Sequence, residues 1–451
     1  MESTGSASPA VRDVARRITR AAFRAFRGRG VRSTVGAQVV ILFLGAGTGV
    51  MSARLLGPQG RGELAATTLW PAVLLLLGAV GMSQSIVFHT GRQLFPVSEI
   101  WGTALSLAAA QSVFVILAGW VVLPVVLKSY SRSVESCAFA MLLTAPFMLV
   151  AACEGALLQG RLRFVTFNMT RLLTPLVYAL GLGILMLWRK PSLPHVMGAQ
   201  ILGLVVGASV AYLLLRREVA PGLAWSRRAC ASLLKYGFKT QFESVNTYIN
   251  QRADQLLLSL FVPPRQLGLY VVAVTASSVV AFFPQAMGIV TLATGSNLPP
   301  DDAKQAIVQS FRLSFLWLSA ACGAIFILAP WLIPFFFGGR FSESVLACRI
   351  LLPGTLFLGL RQVLYEGARA LGKPAVPSYS EGVGTLVTIV GLYLLLPRYG
   401  FVGAAIASTL AYGTSLLFIL LIFNHGLGVA WRTLLVTGAL PWRTPRSDAS
   451  F

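Results

Sequence analysis

Acidic residues are scarce in this chain: 15 Asp and Glu stand against 37 Lys and Arg among 451 residues. The three histidines are scattered without metal-ligand spacing and the five cysteines form no CxxC pair, so neither a metal site nor a disulfide framework is implied. Nothing in the sequence calls for a cofactor. Charged residues make up 12%, where a soluble domain carries about 25%. The connections between apolar runs are too short to build a water-soluble domain. A polytopic membrane glycosyltransferase or polymerase usually needs a sizeable loop of acidic or histidine catalytic groups, and these connections supply none. The net charge of +22 lacks the folded basic module that nucleic-acid binding would need, so no nucleic-acid partner is expected.

What fills the chain is apolar sequence, 56% of all residues. Runs long enough to cross a bilayer, about 20 residues each, fall near 34–54, 64–88, 100–127, 136–158, 167–188, 195–215, 239–262, 269–292, 308–336, 343–366, 378–397 and 401–424. The expected fold is all-α: a polytopic membrane protein of about twelve transmembrane helices. With the N-terminus inside, 25 Lys and Arg lie in or beside the inner connections and 9 in or beside the outer ones. By the positive-inside rule both termini are then cytoplasmic. The net charge is largely this topology signal.

Residues 1–33 form a basic N-terminal segment without the apolar core of a cleavable signal. Val11, Val14, Ile18, Ala22 and Phe26 recur at helical spacing among Arg12, Arg16, Arg17, Arg20, Arg24 and Arg27. Two readings stand: a helix lying against anionic lipid headgroups, or a basic tail that only enforces topology. A weaker surface helix is expected at 427–440, within the tail 425–451.

The spans repeat in two groups of six. Pro71 and Pro284, Pro124 and Pro330, and Pro146 and Pro353 recur at offsets of 213, 206 and 207. Glu154-Gly155-Ala156 in the fourth span matches Glu366-Gly367-Ala368 in the tenth. Gaps are required, because Pro146 to Glu154 is five residues shorter than Pro353 to Glu366. Six is even, so both halves start on the same side and the repeat is parallel, about an axis along the membrane normal. The expected organisation is two pseudo-symmetric six-helix lobes, 34–215 and 239–424, joined by a basic cytoplasmic linker at 216–238. The working cavity of such a repeat lies where the lobes face each other.

Polar groups inside spans are costly and usually face a cavity. The seventh span is the most polar: Lys239, Thr240, Glu243, Asn246, Thr247, Asn250, Gln251 and Asp254 share an arc of about 140° at the helical repeat. This stripe is either the wall of a water-filled groove or polar glue between helices. Arg252 falls opposite it and either pairs with a neighbouring helix or marks a distortion. Further embedded charges are Glu154, Arg349, Arg361 and Glu366, with His89 and Arg92 near the end of span two. Arg361 and Tyr365 share one helix face, and arginine suits bidentate contact with phosphate oxygens. Such arginines fit an anionic substrate such as a diphosphate. Glu154 and Glu366 read equally well as structural groups at helix ends.

Three motif matches carry no function. Gly367-x-x-x-x-Gly372-Lys373 starts like a phosphate-binding loop, but Pro374 replaces the required hydroxyl residue and no strand precedes it. Asp301-Asp302 reads as a solvated loop. Asn168-Met169-Thr170 is a glycosylation sequon on the expected cytoplasmic side.

Between spans one and two runs Arg54-Leu55-Leu56-Gly57-Pro58-Gln59-Gly60-Arg61-Gly62-Glu63-Leu64-Ala65. With Gly81-Met82-Ser83-Gln84-Ser85, Asn250-Gln251-Arg252-Ala253-Asp254-Gln255, Leu371-Gly372-Lys373-Pro374 and Gly400-Phe401-Val402-Gly403-Ala404-Ala405, it resembles the polysaccharide transporter family of oligosaccharide flippases. These belong to the multidrug/oligosaccharidyl-lipid/polysaccharide exporter superfamily. The resemblance covers roughly 34–424. It implies a V-shaped pair of lobes around a cationic cavity in a bacterial cytoplasmic membrane. The activity it implies is flipping of polyprenyl-diphosphate-linked oligosaccharide to the outer leaflet by alternating access, without bond chemistry. The implied partners are lipid-linked oligosaccharide and membrane lipid, with a polysaccharide polymerase or glycosyltransferases nearby. Candidate cavity residues are then Glu243, Asn246, Asn250, Arg252, Asp254, Arg361 and Tyr365; Glu243 and Asp254 are candidate ion-coupling carboxylates. A cation-coupled drug exporter or a peptidoglycan-precursor flippase of the same superfamily is the alternative.

Overall fold

The computed structural model describes residues 29–188, 191–218, 222–296, 298–373, 375–426 and 429, and no strand occurs among them. In hydrocarbon each backbone polar group needs a partner within the protein, and helices meet that need locally. The helices are α1 (Arg29–Ala79), α2 (Met82–Gly91), α3 (Val97–Val126), α4 (Arg132–Leu142), α5 (Ala145–Gly160), α6 (Phe164–Met186) and α7 (Leu193–Glu218). They continue as α8 (Arg227–Phe261), α9 (Pro264–Ser278), α10 (Phe282–Gly295), α11 (Pro300–Phe337), α12 (Ser344–Ala370) and α13 (Ala375–Gly426).

α1 and α13 each join two expected spans. Gly57 in α1 (φ 68°) and Gly400 in α13 (φ 55°) sit in the left-handed region, which glycine enters without a Cβ penalty. Three expected spans are interrupted instead. The second breaks at Val80 and Gly81, both at positive φ, before α2. The fourth breaks between α4 and α5, and the eighth passes through a 3₁₀ turn at Val279–Ala281. Nine helical segments of the described residues have the length and apolar composition to cross a membrane. α8 is not among them because of its polar residues.

Pro146 lies in the first turn of α5, whereas Pro353 lies inside an unbroken α12. That difference accompanies the unequal spacing to Glu154 and Glu366. The expected linker 216–238 is mostly helix, since α7 ends at Glu218 and α8 starts at Arg227. Lys and Arg are good helix formers, so a run of basic residues does not end a helix. Ser226 caps α8, its Oγ accepting from the Ala229 N–H. The segment before it docks on α3: the Ala224 N–H donates to the Ser98 carbonyl and the Ser226 N–H to Thr103 Oγ1. The expected surface helices at 11–26 and 427–440 lie outside the described residues, apart from Val429.

Apolar side chains cover the outside. Trp120, Val121, Leu180, Ile184, Trp331 and Tyr393 are exposed, as suits a chain solvated by lipid. Within the first half α6 packs on α1 and α7, and α5 packs on α2, α3 and α7; within the second, α12 packs on α9, α10, α11 and α13.

The halves meet through α1 on α9 and through α1, α2 and α3 on α8. Two close backbone approaches mark these contacts. A Cβ on Gly62 would lie 1.7 Å from the Pro264 carbonyl oxygen, and one on Gly268 1.9 Å from that of Pro58. A Cβ on Gly81 would lie 2.1 Å from the Gly237 oxygen. The first crossing is at the end of the bundle that carries the Gly57 turn. There the Arg54 guanidinium also donates to the Phe335 and Phe336 carbonyls, and Arg265 pairs with Glu343 at 2.6 Å.

Candidate functional site

α8 belongs by sequence to the second half, yet hydrogen bonds tie it to the first. Ser85 Oγ donates to the Leu233 carbonyl (2.8 Å), and Gln241 Nε2 to that of Leu76 (2.6 Å). Gln84 Nε2 reaches Ser244 Oγ (3.2 Å), Trp70 Nε1 reaches Ser259 Oγ (3.1 Å), and the Tyr130 hydroxyl donates to the Ser259 carbonyl (2.9 Å). His89 bridges to Ser232 at 2.8 Å.

Along this contact opens a cavity of about 410 Å³, lined by Leu76, Gln84, Thr240, Ser244, Thr247, Tyr248 and Gln251. Among the described lining residues, every side chain except Leu76 is an uncharged hydrogen-bonding group. The polar stripe of α8 therefore divides. Thr240, Thr247 and Gln251 face the cavity, joined by Ser244 and Tyr248. Asn250 and Asp254, farther round the helix, turn into packed protein and are buried. Asn246 is half-buried. Glu243 lies in α8, but its side chain is outside the described residues.

Asp254 is the centre of one buried network. Its Oδ2 accepts from the Tyr270 hydroxyl of α9 and from Ser408 Oγ of α13 (3.1 Å), and its Oδ1 from the Gln255 N–H (2.7 Å). One turn earlier, both amide atoms of Asn250 are buried without a hydrogen-bond partner among the described residues. Arg252 is exposed, and its Nη1 donates to Gln255 Oε1 at 3.0 Å. It lies within electrostatic reach of Tyr248, Asp254 and Tyr412, and of Arg61 from the first half.

Arg361 is the centre of a second network. Its Nη1 donates to Ser415 Oγ (2.9 Å), its Nη2 faces Glu381 Oε1 (3.5 Å), and its guanidinium lies over the Tyr365 and Tyr412 rings. The Tyr365 hydroxyl and Ser380 Oγ close on Ser415 Oγ at 3.2 and 2.9 Å. Tyr412, under the Arg361 guanidinium, also lies within electrostatic reach of Asp254. Glu381 lies in the expected eleventh span and is not among the candidate residues; an acid inside an apolar run was the signal. Tyr270 and Ser408 give no such signal in the sequence.

The remaining embedded charges are dispersed. Arg349 donates through Nε to the Phe326 carbonyl (3.0 Å) and covers that ring, tying α12 to α11. Glu366 accepts from Gln362 (3.1 Å) and Arg369 (2.9 Å) at the end of α12. Glu154 is fully buried, and neither carboxylate oxygen has a hydrogen-bond partner among the described residues. The repeat accounts for that contrast: where Glu366 has Gln362 and Arg369 at −4 and +3, Glu154 has Val150 and Leu157.

Gly372 ends α12 at φ 73°, which is the helix-terminating role of glycine rather than a phosphate loop. Asn168 is buried and donates to Thr34 Oγ1 at 3.0 Å and Ser33 Oγ at 3.2 Å, a tie between α6 and α1. Asp301 is exposed beside Lys304. No group of three or more metal-ligating side chains occurs among the described residues.

Comparison with known proteins bears on the family and the fold. Residues 51–346 match the family described as polysaccharide biosynthesis protein. An uncharacterised membrane protein of Methanocaldococcus jannaschii is 22% identical over 227 residues, 49% of this chain and 45% of that protein. The match thus spans under half of that relative's length. Among solved structures, an inward-facing multidrug resistance MATE family transporter of the MOP superfamily superposes with a TM-score of 0.72 at 13% identity, covering 86% of this chain and 94% of the other. The lipid II flippase MurJ in an inward closed conformation gives 0.69 at 15% identity over 88% and 87%. An outward-facing MATE family structure gives 0.59 at 13% identity over 88% and 94%. At these identities the likeness is one of fold.

Proposed function

Because the chain belongs to the polysaccharide biosynthesis protein family, we propose that it is a membrane transporter that flips a polyprenyl-diphosphate-linked oligosaccharide between leaflets. The observation that carries this reading is the cavity between α1, α2 and α8. A saccharide head cannot enter hydrocarbon unless its hydroxyls are hydrogen-bonded. Gln84, Thr240, Ser244, Thr247, Tyr248 and Gln251 offer both donors and acceptors and, among the described lining residues, no carboxylate. A drug exporter for lipophilic cations would be better served by aromatic and acidic walls. The reading treats transport as a movement without bond chemistry.

In this reading the two six-helix halves exchange access to the cavity. The excess of basic residues puts the Gly57 end outside the cytoplasmic membrane and both termini inside. The closed Gly62–Gly268 crossing is then the shut outer door of an inward-facing state, in line with the better superposition on the inward-facing MATE family structure. Asp254 is the stronger candidate for ion coupling, because it joins α8, α9 and α13 through a single buried carboxylate. Protonating it or giving it a cation would change how those helices hold together.

The test is depletion of the protein in its host, with lipid-linked saccharide measured on each face of the membrane. The expected outcome is accumulation on the inner leaflet, restored by wild type and poorly restored by Gln251→Leu with Thr247→Val at equal folded abundance. An unchanged distribution on depletion would refute the function. Full restoration by the double variant would refute the cavity as its site.

A further inference from the structure

α8 is too polar to be recognised as a span by composition, yet one strip of it is bare. Arg228, Ala231, Lys235, Phe238 and Phe242 are all exposed and recur at steps of three and four, so they share one helix face. Phe238 and Phe242 are 75% and 80% exposed. At 3.6 residues per turn the strip lies about 180° round the helix from Thr240, Ser244, Thr247 and Gln251, which line the cavity. Whatever meets the strip is therefore outside the cavity.

The strip is graded along its length. Residues 227–239 of α8 hold Arg227, Arg228, Lys235 and Lys239 and no acid. The ion pairs among the described residues involve none of these four. Farther along, the same face is aromatic. Just before the helix Trp225 is exposed as well. Its backbone is pinned to α3: the Ala224 N–H donates to the Ser98 carbonyl, and a Cβ on Gly102 would lie 2.5 Å from the Ala224 carbonyl oxygen.

Depth follows from α3. Its 30 residues measure about 45 Å at 1.5 Å per residue, the thickness of a bilayer with its headgroups. Ser98 and Gly102, in the first turns of α3, therefore lie at headgroup depth, and the start of α8 lies there with them. From Arg228 to Phe242 is fourteen residues, about 21 Å of helix. One leaflet with its headgroups is about 20–22 Å. The cations thus stand at the level of lipid phosphates and the phenylalanines at the level of acyl chains. Lysine stems extend toward the headgroups, and tryptophan favours that interface.

We propose that this strip is a binding site for an anionic phospholipid of the surrounding leaflet, its phosphate held by Arg228 and Lys235 and an acyl chain laid along Phe238 and Phe242. A neutral phospholipid has the same length but no net negative charge to meet cations that lack an acid. The site is on the back of α8, so the proposal goes beyond the flippase reading and does not rest on it. Because α8 carries the cavity wall on its other face, a lipid seated here braces that wall.

The test uses the full-length protein, delipidated in a neutral detergent, titrated with phosphatidylglycerol or phosphatidylcholine and followed by thermal unfolding. Both lipids should raise the unfolding midpoint saturably, phosphatidylglycerol at about tenfold lower concentration. Arg228→Gln with Lys235→Gln should bring the two lipids together. Lys128→Gln with Arg132→Gln, an equal loss of exposed charge at the other end of α3, should keep the preference. Phe238→Ser with Phe242→Ser should weaken both lipids alike, and soluble glycerol 1-phosphate should not shift the midpoint. Equal half-saturation by the two lipids in wild type would overturn the proposal. So would a preference that survives Arg228→Gln with Lys235→Gln, or one that is lost in the Lys128 and Arg132 control, which would make it an effect of net charge. Stabilisation by glycerol 1-phosphate equal to that by phosphatidylglycerol would make the ligand a free anion. A lower lipid-free midpoint in any variant leaves the criterion in place, because it is the ratio between two lipids on the same protein.

Discussion

The pairing of Arg361 with Glu381 is an energetic statement about single side chains. Both are largely removed from solvent, at 6% and 18% side-chain exposure. Removing one partner strands the other charge, a loss of about 3–5 kcal/mol for a buried pair. Arg361→Ala and Glu381→Gln should each lower the unfolding midpoint markedly, and the double variant should be less destabilised than the two singles combined. Thermal unfolding in detergent measures this, and strict additivity would mean the two side chains do not interact. The embedded charges were legible in the sequence because an ionised group inside an apolar run is conspicuous whatever it touches. Their partners were not, since Tyr270, Ser380, Ser408 and Ser415 are ordinary residues of membrane helices until the fold sets them against Asp254 and Arg361. The stripe on α8 was visible as polarity, but periodicity cannot say which part of a polar arc meets open space. The cavity face centres about 80° round the helix from the middle of the arc, at 3.6 residues per turn.

Elements meet where glycine lets them. At Gly62 and Gly268, α1 and α9 approach so closely that a methyl group on either would overlap a carbonyl oxygen of the other. Gly62→Ala or Gly268→Ala should therefore force the Gly57 end apart and shift the protein toward the opposite-facing state. Spin labels on exposed Ser131 and Pro263, the latter beside that crossing, should report a longer mean separation in the variants. An unchanged distance distribution would show that the crossing does not set the conformation. Twelve spans were readable from apolar run length, including the pairs that continue as one helix through Gly57 and Gly400. The breaks inside the second, fourth and eighth spans were not, because a positive φ at Val80 or a 3₁₀ turn at Val279–Ala281 leaves no compositional trace. The helix within 216–238 was not legible either, because basic residues are compatible with helix and with loop alike and its start rests on the single cap of Ser226.

At the scale of the whole molecule, the charge asymmetry makes a claim about sidedness. With the native cysteines replaced, Ser131→Cys should react with an impermeant thiol reagent added to intact cells, whereas Leu223→Cys and Ser296→Cys should react only after the membrane is opened; all three positions are exposed. Labelling of Leu223→Cys from outside would invert the topology. The Gly62–Gly268 crossing has one more consequence, an electrical one. A polar cavity between the two halves of a membrane bundle is a short circuit in waiting, and a single file of water past the crossing would let ions through. Each charge moved across 100 mV releases about 2.3 kcal/mol, so even a slow leak dissipates the membrane potential. Backbone packed directly on backbone leaves no width for such a file, and the two glycines act as insulation.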